Sequence, residues 1–232
     1  MSTIILPVEA LKVWSCLLML TVTIGVPDSS HALNLENLIS KLQDRYDRTT
    51  ALTADFVQIA TLHSINRHQT SAGRLFIAKP SSIRWEYTQP DAQTILYDGN
   101  MLQIYTPQRH QILQSPINER DRNNVALLFL AGVGKLRETF NITKLDSQES
   151  DKPQLRLIPQ SSQASFKELH VTINPETFFV EKISIHDTIG NITNIHMYSL
   201  TTHETLPTQT FKLNVPPGTE IITPDDFSSQ QQ

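Results

Sequence analysis

One tetrapeptide pattern constrains this chain more than any other. Thr94-Ile95-Leu96-Tyr97 and Asn100-Met101-Leu102-Gln103-Ile104-Tyr105 flank Asp98-Gly99. Asp-Gly between two apolar runs is the preferred two-residue hairpin turn, in which both central residues take positive φ. The alternation that surrounds it is equally marked. Ile83, Trp85 and Tyr87 fall on one side of a strand and Arg84 and Glu86 on the other. Gly73 to Ala78 reads as a strand that Pro80 ends, because proline has no amide hydrogen to give a neighbour. The stretch from His63 to Ser71 is polar and reads as a loop or strand end.

Further strands are expected at Leu52–Val57, Gln111–Gln114, Phe140–Leu145, Gln154–Pro159, Phe166–Ile173, Val180–Asp187, Asn191–Leu200 and Thr210–Val215. Turn residues separate them at the spacing of consecutive antiparallel hairpins. Helices are few. Leu35, Leu38, Ile39, Leu42 and Tyr46 form one apolar stripe behind the N-cap candidate Asn34. The run Val125–Leu130, between Asn124 and Gly132, reads as a short helix covering the open side of the sheet, and a helical turn is expected near Lys135. A sheet of ten or so strands must curl. The expected fold is therefore mainly β: a strongly curved antiparallel sheet with short helices on its concave side.

The N-terminus is a separate matter. Val13–Val26 is an apolar run of signal-peptide length, preceded by Lys12 and followed by Ser30-His31-Ala32. Residues 1–32 are expected to be a cleaved export signal, with an uncleaved anchor, or a lipoprotein signal acylated at Cys16, as the alternatives. A single domain over residues 33–224 and a loose polar tail over 225–232 complete the organisation. Removing Lys12, Glu9 and Asp28 leaves 18 basic and 21 acidic residues, and removing Cys16 leaves no cysteine. Disulfides and cysteine-ligated zinc are excluded from such a mature chain. The scattered basic residues give no clustered face for nucleic acid. Export without cysteines fits a bacterial periplasm.

Enzyme signatures fail. There is no G-x-S-x-G, H-E-x-x-H, P-loop or dinucleotide glycine motif. His186, His196 and His203 lie on neighbouring strands and could converge, but their spacing matches no metal signature. They are read as ordinary sheet histidines, and no metal, cofactor or catalytic residue is expected. What remains is large apolar residues sharing one face: Leu75, Ile77, Ile83, Trp85, Tyr87, Leu102 and Ile104. Periodicity leaves two readings open, a packed core or the lining of an apolar ligand cavity.

The ordered pieces Leu52-Thr53-Ala54-Asp55-Phe56-Val57-Gln58, Gly73 through Pro80, Arg84-Trp85, Gln89-Pro90, Asp98-Gly99, Asp187–Asn191 and Phe211–Gly218 resemble the periplasmic lipoprotein carrier family, LolA. The resemblance runs from about Leu35 to Ile222. It implies an incomplete, half-open antiparallel β-barrel with an α-helical lid over an apolar cavity, and a chaperone rather than an enzyme. Such a protein would take acylated lipoproteins from an inner-membrane releasing ABC transporter to an outer-membrane receptor, acting as a monomer in the periplasm. Alternatives are a lipid- or lipoprotein-sensing regulatory or receptor protein of the same fold, and, from another class, a lipid hydrolase. The acyl cavity would be lined by Phe56, Leu75, Ile77, Trp85, Tyr87, Leu102, Ile104, Leu127 and Leu128. The family's lid-latching arginine falls on Lys79, a departure that replaces a planar fork with one flexible ammonium. Its exposed handover aromatic falls on Ile83.

Overall fold

A computed structural model describes residues 34–63, 67–117, 135–145, 151–161, 164–224 and 226. The chain divides after Ala32, and everything described belongs to the second unit, Leu33–Gln232. Helix α1 (Leu35–Arg48) starts where expected. The Asn34 side chain accepts from the Glu36 amide at 3.2 Å, Arg45 and Arg48 occupy the last turn, and Leu38, Ile39, Leu42 and Tyr46 are the buried stripe. Cations at a helix C-terminus suit its partial negative charge. No helix of the described residues is long and apolar enough to cross a membrane.

Among the described residues twelve strands follow: β1 (Ala51–Leu62), β2 (Arg67–Ala78), β3 (Ser82–Gln89), β4 (Gln93–Tyr97), β5 (Met101–Thr106), β6 (Gln111–Pro116), β7 (Phe140–Lys144), β8 (Gln154–Pro159), β9 (Phe166–Ile173), β10 (Val180–Asp187), β11 (Ile192–His203) and β12 (Glu220–Ile222). A four-residue helix, α2 (Leu136–Thr139), leads into β7. The strands form one open sheet in the order β12-β6-β5-β4-β3-β2-β1-β11-β10-β9-β8-β7. It consists of two meanders joined where β1 pairs with β11, from Ala51↔His203 to Thr61↔Ile192. This is the half-open antiparallel barrel with a helix on its apolar face.

Register explains the core. Directly paired residues point to the same face. Ala54, Leu75, Trp85 and Ile95 form one row across β1–β4, and Leu52, Ile77, Ile83 and Tyr97 the next. Leu155, Leu157, Leu169, Val171, Ile183, Ile195 and Met197 continue the same face over the other meander, and α1 buries its stripe in this one cluster.

Four expectations are corrected. β2 begins at Arg67, not Gly73: residues 67–70 are exposed, so they carry no apolar alternation, yet each pairs with β1. The Asp-Gly turn has positive φ at Gly99 alone (+103°), and the Asp98 side chain accepts from the Asn100 and Met101 amides at 3.0 and 2.9 Å. The turn is therefore centred on Gly99-Asn100, as in type II′, rather than on Asp98-Gly99. Thr210–Val215 is no strand: Thr208–Phe211 is a 3₁₀ turn. Finally, β12 joins β6 in parallel, an arrangement that consecutive hairpins do not anticipate. The expected cover helix at 124–131, with Leu127 and Leu128, the expected signal at 1–32 and nearly all of the expected tail lie outside the described residues.

Candidate functional site: the apolar face and its fastened helix

The centre of the apolar face is aromatic. Phe56 stands between Trp85 and Tyr87, with ring centroids 4.7 and 5.2 Å away. Phe56 pairs across the strands with Gly73. Backbone packing imposes that glycine, since a Cβ there would lie 1.9 Å from the Glu86 carbonyl oxygen. Tyr87 donates to Gln58 Oε1 at 3.1 Å, and burial pushes its hydroxyl up to about 12. The Trp85 Nε1 is buried and makes no hydrogen bond of ordinary geometry.

Of the residues expected to line a cavity, Phe56, Leu75, Ile77 and Trp85 are fully buried in the cluster that includes the α1 stripe. Tyr87 and Leu102 are half-buried against it, and Ile104, also half-buried, faces the same way through its pairing with Ile95. In this conformation the helix covers the face. Ile83 is only 1% exposed, paired between Ile77 and Tyr97. Its parity with Trp85 turns it inward, so the expected exposed handover position is corrected to a core position.

Lys79 is a fastening. Its amide donates to the Thr50 carbonyl at 2.8 Å and its Nζ donates to the Tyr46 carbonyl, at the C-terminal end of α1. Thr49 caps the same end, its amide donating to the Tyr46 carbonyl at 3.1 Å and its hydroxyl to the Arg45 carbonyl at 2.8 Å. Burial holds the Lys79 ammonium below its ordinary value, with the Asp47 carboxylate opposing that shift. Lys79 thus bonds the C-terminal end of α1; the mid-chain cover expected from the sequence lies outside the described residues.

The rest of α1 is tied down by side chains. Arg45 donates to the Thr177 carbonyl at 2.9 Å and lies 4.6 Å above the Phe179 ring, and Lys41 sits 4.9 Å above Phe178. The Tyr46 ring meets Phe179 edge-on at 5.6 Å, and its hydroxyl accepts from the Val180 amide at 3.4 Å. Burial pushes that hydroxyl up to about 12. On the other flank the Leu136 amide donates to Gln43 Oε1 at 2.9 Å and Arg137 pairs with Glu36. α1 is thus an apolar helix face held over an apolar sheet by a few polar contacts.

His186, His196 and His203, read from the sequence as ordinary sheet histidines, do not gather into one cluster. His203 Nε2 lies 3.0 Å from the Thr53 hydroxyl and His196 neighbours Tyr198. His186 instead joins His170 and Glu168, a grouping visible only once the β9–β10 register is known.

The family model described as "Outer membrane lipoprotein carrier protein LolA" matches residues 47–214. An outer-membrane lipoprotein carrier protein of Pseudomonas paraeruginosa is 27% identical over 195 residues, covering 84% of this chain and 88% of its own. One from Methylococcus capsulatus is 28% identical over 183 residues, covering 79% and 86%. Among solved structures, a conserved protein of Thermus thermophilus superposes with a TM-score of 0.51 at 11% identity, over 81% of this chain and 98% of that one. That last likeness concerns the fold alone.

Proposed function

We propose that this chain, which belongs to the LolA family of outer membrane lipoprotein carrier proteins, is a periplasmic carrier that shields the acyl chains of lipoproteins on the sheet face now covered by α1. The carrying observation is the fastening of α1: its stripe of Leu38, Ile39, Leu42 and Tyr46 occupies the apolar face, while Lys79 holds its C-terminal carbonyl. The curated relatives carry the name of lipoprotein carriers. The reading assigns no catalytic residue, and its upstream and downstream partners are a releasing transporter and an outer-membrane acceptor.

Energetics make the exchange feasible. A hydrogen bond from a charged donor contributes about 1.5–3 kcal/mol. Each acyl methylene removed from water contributes about 0.8 kcal/mol. About three buried methylenes therefore offset the Lys79 latch, and the remainder of the acyl chain replaces the helix stripe. Phe56, Leu75, Ile77, Trp85, Tyr87, Leu102 and Ile104 are the proposed lining, and Leu127 and Leu128 are retained in it from the family resemblance.

Native mass spectrometry of residues 33–232 with a triacylated cysteine peptide tests the reading. A one-to-one complex with the acylated peptide, and none with its unacylated form, is the expected result. Equal binding of the two, or no binding of either, overturns it.

A further inference from the structure

We propose that Glu168, His170 and His186 form a binding site for a borderline divalent cation, zinc foremost, on the outer face of the second meander. The site is a product of strand register. Glu168 on β9 pairs directly with His186 on β10, and His170 stands two residues along β9 on the same side. Leu169 and Ile183, which alternate with them, are buried in the core, so these three side chains face outward.

Their donor atoms lie within 4.8 Å of one another. The two rings are 4.4 Å apart, and His170 Nε2 lies 2.9 Å from Glu168 Oε1. Ligands held tetrahedrally about 2.0–2.1 Å from zinc are about 3.3 Å apart, so side-chain rotation of an ångström or so converges them. Two imidazoles and one carboxylate are a donor set zinc commonly takes, with a fourth position left to water.

Two further observations point to a ligand. His186 Nε2 is buried and has no hydrogen-bond partner, which is unusual for so polar an atom. A cation would satisfy it. Arg156, on β8 opposite His170, donates through Nε at 2.8 Å and through Nη2 to Glu168 Oε2. That leaves Oε1 turned toward the two imidazoles. Ligating carboxylates are commonly oriented this way by a hydrogen bond on the second oxygen. The Glu168 side chain is only 12% exposed, which limits its freedom to turn away.

Bound metal would strap β9 to β10 through side chains at one end of the second meander. It lies on the opposite sheet face from α1, so it is independent of acyl-chain binding.

Isothermal titration of untagged residues 33–232 with zinc chloride, in a buffer that does not chelate zinc, tests the site. Cobalt(II) absorption serves as a second probe. The expected results are one saturable equivalent, a rise in Tm with zinc, and visible cobalt bands of tetrahedral intensity. His186→Ala, His186→Gln and Glu168→Gln should each weaken that equivalent at least tenfold while circular dichroism stays unchanged. No saturable equivalent in the wild-type chain overturns the proposal. So does an equivalent that survives in all three variants, which would assign the zinc to other histidines.

Discussion

Among the described glycines, Gly73 is the one where an added side chain would meet backbone. The atom a side chain would meet is backbone, the Glu86 carbonyl oxygen at 1.9 Å, so no rotamer relieves the clash. Gly73→Ala should cost about 1–3 kcal/mol or more, read from the midpoint of urea unfolding. Tyr46 and Tyr87 give a pH signature. Both hydroxyls are held near 12 against an ordinary value of 10.0. The unfolded chain therefore loses these protons first, and stability falls as pH rises from about 10 to about 12. The slope is on the order of 1.4 kcal/mol per pH unit for each tyrosine. Lys79 works the other way, because its value is lowered in the folded chain and the cost of burying its charge is relieved as pH rises. The clean measurement compares alkaline unfolding of the wild type with Tyr46→Phe and Tyr87→Phe. Each variant should flatten the decline, and an unchanged profile in both would refute the tyrosine assignment.

At the scale of elements, α1 is the part expected to move. Lys79→Leu should speed hydrogen exchange in the last turns of α1, about tenfold for each 1.4 kcal/mol lost, while the β1–β2 hairpin stays protected. Lys79→Arg should restore protection and transfer. Uniform exchange across helix and hairpin in Lys79→Leu would mean that the lysine is not a latch. Trp85 reports the same event optically. It is the sole tryptophan after Trp14, and an acylated peptide that displaces α1 should alter its emission. The sequence made α1 legible because its stripe and Asn34 cap are local signals. It also exposed most strands, since their alternation is written residue by residue. It misplaced Phe211-Lys212-Leu213-Asn214-Val215, whose alternation is real but which pairs with no strand among the described residues. Instead Arg84 Nη1 donates to the Thr210 and Lys212 carbonyls at 3.2 and 3.3 Å, holding this segment against β3. The partner of Lys79 was illegible for a similar reason: it is a backbone carbonyl 33 residues away. The inward turn of Ile83, by contrast, could have been read from its parity with Trp85.

For the whole molecule, an open sheet has two terminal strands whose free edges must be managed. β12 covers β6 with the pairs Glu220↔Gln111 to Ile222↔Leu113, reinforced by Gln111 Nε2 donating to Glu220 Oε2 at 2.8 Å. Truncation before Glu220 should therefore expose the β6 edge and promote self-association. Light scattering after size exclusion measures this, and a truncated chain that stays as monodisperse as the full one would count against it. The joint between β1 and β11 bears on how quickly the structure can be reached. Neighbouring strands inside each meander are close in sequence and can pair as soon as their turns form. Ala51 and His203, by contrast, must find each other across most of the described residues. Closing so large a loop is slow because its entropy is lost before any contact repays it. Substitutions along this seam should slow refolding, whereas those at the outer hairpins should chiefly speed unfolding. The interval before the seam closes is when two half-sheets present uncovered apolar faces to any neighbouring chain.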